Sequence, residues 1–378
     1  MAILQVNVRP ALRSLVLPRS QRRENGNSPF LSLNGNSAYP ANTVDHKQTF
    51  ASPLMTQTHP LPQSQTVVNG SALNGNNGIT PQPLPQKILW SLTPETPVGR
   101  ALVSASQRLT GAGCENPRLD AQVLLAHVLG MDRTWLFAHH DYPLAADQAE
   151  AFTELVARRI RREPVAYLLG RKEFYGLNFA VDERVLIPRP ETEMLVDFLL
   201  AHVQADEERI FAIADVGTGS GAIAVTTAAH APNTRIYGLD ISPGALDVAQ
   251  ENGRTLAPHA QLRFLRSDLL AALPEPVDVI VANLPYVTDS EYSGLAPEIR
   301  DFEPQVALTA GDRGLDVIQR LLAQVRHHLK PGGLVLLEIG HKQGDVVKRL
   351  AEDMRPKPRA VGLRQDYSGH VRMVTIEF

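Results

Sequence analysis

Cysteine is almost absent from this chain: Cys114 is the single one in 378 residues. An internal disulfide is therefore excluded, and so is any metal site built from several thiolates. Long apolar runs are missing too. Stretches such as 334–337 have the length of a core strand, far short of the roughly 20 residues that a spanning helix needs. Nor does one sign of charge dominate. The formal net charge is -3, with 20% charged and 43% hydrophobic residues, a balance that belongs to globular proteins rather than fibrous or wholly disordered ones. At this length one compact core is not expected, and two folded domains, or one with tails, are the natural division.

That small net charge conceals an asymmetry. Residues 1–88 carry seven Lys and Arg against two Asp and Glu, and the remainder carries 30 against 38. The first segment is rich in Asn, Gln, Ser, Pro and Gly and shows no sustained apolar periodicity. It buries too little apolar surface to offset its ordering entropy, so 1–88 reads as a disordered low-complexity tail. Its first 23 residues lack acids and carry Arg9, Arg13, Arg19, Arg22 and Arg23, a composition shared by organelle transit peptides and by plain basic tails.

From residue 89 the apolar residues take helical spacing, as in Leu119, Val123, Leu124 and Val128, then Phe152, Leu155, Val156 and Ile160. This predicts a small helical domain over 89–168. Residues 169–190 read as a β-hairpin linker ending in Pro188-Arg189-Pro190. Across 191–378, short β-rich runs alternate with amphipathic helices. Strands are expected at 210–216, 235–240, 262–267, 277–282, 334–339, 359–364 and 371–378. Near-continuous apolar strands between helices imply an α/β fold, a Rossmann-like parallel sheet covered on both faces. The last two strands are too close for a helical crossover and should be antiparallel.

Directly after the first of these strands stands Gly217-Thr218-Gly219-Ser220-Gly221, followed by a helical run. Glycines at a strand-to-helix turn let backbone N–H groups approach a ligand closely. The spacing is G-x-G-x-G, not the G-x-G-x-x-G that cradles a dinucleotide pyrophosphate. It favours S-adenosyl-L-methionine, which has no pyrophosphate, over a nicotinamide dinucleotide. Asp240 ends the second strand, where a carboxylate can accept from both ribose hydroxyls. Asp268 and Leu269 end the third, beside the expected adenine. As isolated features these would be a tight turn and helix caps.

The fourth strand runs into Asn283-Leu284-Pro285-Tyr286. This tetrapeptide resembles the (N/D/S)-P-P-(Y/F/W) signature of methyltransferases that modify planar NH2 groups, in amides or in adenine and cytosine. Such a nitrogen shares its lone pair with a carbonyl or ring and attacks a sulfonium methyl poorly. The Asn283 side-chain oxygen and the carbonyl of residue 284 can hold its two hydrogens, and Tyr286 can stack on the planar group. Orientation of this kind lowers a barrier by about 7–11 kcal/mol in favourable cases. Leu284 replaces the usual Pro, but its carbonyl survives and Pro285 still biases residue 284 towards an extended backbone. Asn-Leu-Pro-Tyr is also a form found in ribosomal RNA adenine dimethyltransferases, so the tetrapeptide alone leaves amide and base acceptors open.

Segments upstream separate them. Asn116-Pro117-Arg118-Leu119-Asp120-Ala121, Arg162-Glu163-Pro164-Val165-Ala166-Tyr167-Leu168-Leu169-Gly170 and Val185-Leu186-Ile187-Pro188-Arg189-Pro190-Glu191-Thr192-Glu193 resemble the HemK/PrmC family. Downstream, Gly314-Leu315-Asp316 and Leu337-Glu338-Ile339-Gly340 continue the likeness, which covers roughly residues 90–378. The resemblance implies a seven-stranded class I methyltransferase domain preceded by a helical domain that docks the substrate. It implies S-adenosyl-L-methionine as cofactor and the glutamine of the Gly-Gly-Gln loop of class-1 peptide chain release factors as acceptor. By position, 217–221, Asp240, Asp268, Leu269 and Asn283 hold the cofactor. Asn283, Leu284, Pro285 and Tyr286 hold the glutamine, with Arg189 and Glu191 beside it. No metal is expected, no membrane partner, and no nucleic acid as direct substrate. A monomer in the cytoplasm is the simplest expectation, with mitochondrion or plastid as the alternative if the tail is a transit peptide.

Three rival readings keep specific signals. An N6-adenine methyltransferase acting on RNA or DNA draws on Leu284 and on the arginines at 158, 159, 161 and 162. A non-catalytic module retaining the fold is opposed by the intact glycine loop, Asp240 and Asn283. An NAD-linked oxidoreductase is opposed by the glycine spacing. Glu338 ends a core strand and reads as support for the pocket or a turn cap, without a catalytic role.

Overall fold

A computed structural model of the protein describes residues 90–366 and 368–378. The expectations for 1–88, including a transit peptide, lie outside the described residues. Five helices come first: α1 (Val98–Gly111), α2 (Pro117–Leu129), α3 (Arg133–Ala138), α4 (Ala146–Ile160) and α5 (Val165–Leu169). They form where the spacing places an apolar stripe. Val98, Ala101, Ala105 and Leu109 bury one face of α1, and Ala149, Phe152 and Val156 one face of α4. Gly130 and Gly170 end α2 and α5 in the left-handed conformation at φ 65° and 66°. Trp90, Leu124, Leu125, Leu136 and Leu144 complete this core.

A two-stranded antiparallel hairpin follows, β1 (Arg171–Phe174) and β2 (Leu177–Ala180). The chain then builds α6 (Glu193–Gln204), β3 (Phe211–Val216), α7 (Ala222–His230), β4 (Thr234–Asp240), α8 (Pro243–Leu256), β5 (Gln261–Arg266) and β6 (Val277–Asn283). Two short helices, α9 (Asp289–Tyr292) and α10 (Pro297–Arg300), precede α11 (Asp316–His328), β7 (Leu329–Glu338), α12 (Gly344–Glu352), β8 (Ala360–Gln365) and β9 (Val371–Glu377).

The seven-stranded sheet has the order β5-β4-β3-β6-β7-β9-β8. Strands β3 to β7 pair in parallel, and β9 runs antiparallel to both β7 and β8. Every residue of β3 is buried, as a strand covered on both faces requires. Ile213, Ile236 and Val279 pack against α6, α7 and α8 on one face, while Ala214, Leu239 and Ile280 join Ile318, Leu321 and Val347 on the other. The expected class I methyltransferase architecture is present. β7 departs from expectation by starting at Leu329, five residues before 334. Leu329 already pairs with Val277, and a register shift follows before Leu334 pairs with Val279. Strand order reverses between β3 and β6, and the crevice at their carboxyl ends is where ligands bind in open α/β sheets.

Candidate active site

β3 delivers Asp215 and Val216 to that crevice, and the glycine loop turns the chain into α7. Gly217, Gly219 and Gly221 all have positive φ, at 74°, 55° and 81°. At Gly217 a Cβ would stand 3.1 Å from Leu284 Cδ2 and 3.6 Å from the Asn283 carbonyl oxygen, so only glycine lets the loop lie against the tetrapeptide. Beneath the loop, the buried Asp215 carboxylate accepts from Thr218 Oγ1 at 2.7 Å and from the Ala224 N–H at 3.1 Å. Burial pushes Asp215 up to about 7 despite these two donors. Buried Asn252 gives Nδ2 to the Ser220 and Ala180 carbonyls at 2.9 and 3.0 Å and accepts from the Ala180 N–H at 2.7 Å. It thereby ties the loop to β2. Thr218 and Ser220 are thus buried supports, whereas Gly217 and Gly219 line the cavity.

The same cavity is lined by Asp240, Asp268, Leu269, Asn283, Leu284 and Pro285, which come from the ends of β4, β5 and β6 and join the loop that follows β3. Asp240 accepts from the Gly219 N–H at 2.9 Å through one oxygen and from the Ser242 N–H at 2.9 Å through the other. Burial raises its pKa, and backbone N–H groups of residues 242, 219 and 241 oppose the shift. A carboxylate offers about four lone-pair sites, so each oxygen keeps acceptor capacity towards the cavity. The cap of α8 is Ser242 rather than Asp240, with Ser242 Oγ accepting from the Ala245 N–H at 3.2 Å. On the rim, Asp268 pairs with Arg320 at 2.5 Å. Leu269 adopts φ 54°, uncommon for a side chain with a Cβ, and Ser267 Oγ donates to its carbonyl at 2.7 Å.

Asn283 ends β6 opposite Glu338 of β7. Its Nδ2 donates to Thr192 Oγ1 at 3.0 Å, and Thr192 Oγ1 donates to Glu338 Oε2 at 2.7 Å. Asn283 also acts as a donor towards Glu338, whose pKa burial pushes up to about 7. Burial pushes the Tyr286 phenol up to about 12, with the Glu338 charge as the next contribution. Tyr286 is held from behind: Gln343 Nε2 donates to its carbonyl at 3.1 Å and to the Gly314 carbonyl at 2.9 Å, while Gln343 Oε1 accepts from the Gly340 N–H at 2.9 Å. A Cβ at Gly314 would overlap the Tyr286 carbonyl. Thr192, Asp215, Asn252 and Gln343 were given no site role from the sequence; Thr192 stood within a segment that resembles the family and Asp215 at the end of an expected strand, while Asn252 and Gln343 left no signal.

Tyr286, Arg189 and Glu191 do not line the cavity. Arg189 pairs with the buried Glu303, which also accepts from the Ile187 N–H at 3.1 Å, and Glu191 is exposed. Both charges reach Tyr286, which keeps them beside the tetrapeptide. Three of the four arginines at 158, 159, 161 and 162 are paired within the protein. Arg158 pairs with Glu163, Arg159 with Asp120 and Glu298 at 2.8 and 2.9 Å, and Arg162 with Glu298 at 2.6 Å. Among the described residues no group of His, Cys, Asp and Glu is arranged to hold a metal, and no helix is long and apolar enough to cross a membrane.

Residues 100–170 match the model of the PrmC N-terminal domain, and residues 192–298 that of the methyltransferase small domain. The release factor glutamine methyltransferase of Koribacter versatilis is 44% identical over 257 residues, 67% of this chain and 90% of the relative. The chain belongs to the release factor glutamine methyltransferase family. The enzyme of that name from Moorella thermoacetica is 42% identical over 72% of this chain and 95% of its own length. A solved structure titled protein-(glutamine-N5) methyltransferase (release factor-specific), from Alicyclobacillus acidocaldarius, is 28% identical over 53% of this chain and 98% of its own, with a TM-score of 0.34. Membership in the release factor glutamine methyltransferase family agrees with the HemK/PrmC resemblance of segments as far apart as 116–121 and 337–340.

Proposed function

We propose that the protein transfers a methyl group from S-adenosyl-L-methionine to the side-chain amide nitrogen of the glutamine in the Gly-Gly-Gln motif of class-1 release factors. The relatives' name gives methyl transfer to a glutamine of a release factor, and one observation in this chain supports that reading. Asn283 stands at the edge of the glycine-loop cavity with its Nδ2 already engaged by Thr192. Its Oδ1 is left to accept a hydrogen from a planar amine.

The cavity suits the cofactor. Gly217 and Gly219 admit close approach of the methionine portion, Asp240 keeps acceptor capacity for the ribose, and Asp268 with Leu269 borders the adenine end. When bound, S-adenosyl-L-methionine supplies an electrophilic methyl on a sulfonium, so the protein provides neither metal nor strong nucleophile. Asn283 Oδ1 and the carbonyl of residue 284 accept the two hydrogens of the glutamine amide and aim the nitrogen lone pair at the methyl. Tyr286 stacks on the amide plane. As the new N–C bond forms and the S–C bond breaks, the electron pair of that bond neutralises the sulfonium, and one nitrogen-bound proton leaves to water.

Adenine in RNA or DNA is the weaker reading. Its main support was the arginine run, and three of those four guanidinium groups are neutralised within the protein. A net-acidic body adds to that argument. The test is transfer of labelled methyl to a purified class-1 release factor, beside its Gln→Ala variant in the Gly-Gly-Gln motif and a total RNA sample. Label on the intact factor alone supports the proposal. Label on RNA with the factor blank refutes it.

A further inference from the structure

Thr192 joins the Pro190–Thr192 turn to α6 with a helical backbone, φ -68° and ψ -20°, and its hydroxyl makes no bond to the first turn of that helix. Its hydroxyl hydrogen goes instead to Glu338 Oε2 at 2.7 Å, across 146 residues, and its oxygen receives Asn283 Nδ2 at 3.0 Å. Both Thr192 and Glu338 are buried, at 4% and 3% exposure, so water does not substitute for either partner. A buried hydroxyl that spends its hydrogen and its lone pair on two distant side chains calls for a reason beyond the helix itself.

The reason lies in the near-symmetry of an asparagine amide. Its oxygen and nitrogen ends are almost equal in shape, so packing does not choose between them and the hydrogen-bond network must. An ionised carboxylate only accepts. Thr192 must therefore spend its one hydrogen on Glu338, and only a lone pair is left to face Asn283. A lone pair receives the nitrogen end of Asn283 and rejects the oxygen end. We infer that Thr192 and Glu338 are positioning residues that fix the polarity of the Asn283 amide, so that its oxygen and not its nitrogen faces the acceptor amine. This rests on the glutamine methylation proposed above, for which Asn283 Oδ1 must accept from the substrate.

The polarity is reversible by protonation. A neutral Glu338 can donate to Thr192, freeing the threonine hydrogen to turn towards Asn283 and favouring the opposite amide orientation. The charged and titratable groups facing Glu338 are Arg372 of β9, which favours the carboxylate, Glu191 of the Pro190–Thr192 turn, which disfavours it, and Tyr286 after β6. Burial is the largest influence and brings its titration to about 7. Turnover should accordingly fall on the acid side of that value.

The experiment compares the full-length protein with Thr192→Val, Thr192→Ser and Glu338→Gln, using a release factor as substrate. Thr192→Val keeps the shape and removes the hydroxyl; Glu338 still attracts the nitrogen end of Asn283 directly, so kcat is expected to fall about 10-fold, short of the roughly 100-fold of a fully misplaced reacting group. Its affinity for S-adenosylhomocysteine by calorimetry should stay within about twofold, which also shows that the variant is folded. Thr192→Ser restores the relay and should recover most of the rate. Glu338→Gln should lose the acid limb of the kcat profile. The inference is overturned by a Thr192→Val enzyme as fast as wild type, by Thr192→Ser no faster than Thr192→Val, or by an unchanged acid limb in Glu338→Gln. Wild-type protein that leaves the release factor unmethylated would instead overturn the substrate assignment.

Discussion

Glu298 receives both Nε and a terminal nitrogen of Arg162, at 2.7 and 2.6 Å, and so fastens the segment that follows Asn283-Leu284-Pro285-Tyr286 to the helical domain. Arg159 joins the same carboxylate at 2.9 Å while holding Asp120 at 2.8 Å. Partial burial weakens competition from water, so this cluster contributes more than exposed ion pairs do. Burial works against the charge of Glu298, but the hydrogen bonds from Arg162 and Arg159 outweigh it and hold the carboxyl below its ordinary pKa.

Glu298→Gln should therefore cost about 1–3 kcal/mol, below the full penalty of an orphaned buried charge because Arg159 keeps Asp120. The sign with pH follows from the depressed pKa. The contribution is present above about 4.5 and is lost as pH falls through the lower native value. Urea denaturation of wild type and variant at pH 7 and pH 4 checks both statements, and an equal gap at the two pH values would contradict them.

Gly217→Ala tests the contact between the loop and the tetrapeptide. A side chain at φ 74° costs about 1–2 kcal/mol, and the new methyl must also push Leu284 Cδ2, 3.1 Å away. Cofactor affinity by calorimetry should drop at least about 10-fold, the equivalent of 1.4 kcal/mol. Unchanged affinity would mean that the loop does not meet the cofactor.

Asp215 offers a pH test of the opposite sign. Its native pKa of about 7 lies above the ordinary 3.8, so the folded protein holds a proton that the unfolded chain releases in between. Stability should decline as pH rises through that window, by up to about 1.4 kcal/mol per unit for one proton. In Asp215→Asn, whose oxygen can still accept from Thr218 and Ala224, that share of the slope should vanish. Melting temperatures from pH 4 to 8 measure it, and parallel curves would refute the assignment.

The sheet and the cavity-facing residues were legible because their signals are local. β3, β4, β5 and β6 begin and end within one residue of the expected strands: β3 and β6 are short apolar runs bounded by turn residues, and β4 and β5 are β-rich stretches of similar length. Gly217, Asp240 and Asn283 could be found because each stands directly after such a run. What supports them could not. Thr192 meets Glu338 across 146 residues, and Glu298 meets Arg162 across 136, so neither pairing leaves a trace in spacing. The arginines at 158–162 looked like a free cationic patch for the same reason: Glu298, which neutralises Arg159 and Arg162, lies in another part of the chain.

The central claim is that Asn283 orients a glutamine amide for methylation. Mass spectrometry of a release factor, after incubation with S-adenosyl-L-methionine and either wild-type protein or Asn283→Ala, tests it most directly. Wild type should add one methyl to the peptide carrying the Gly-Gly-Gln glutamine. Asn283→Ala should leave that peptide unmodified while binding S-adenosylhomocysteine nearly as well as wild type. Near-normal methylation by the variant, or a methyl on any other residue of the factor, would contradict the account.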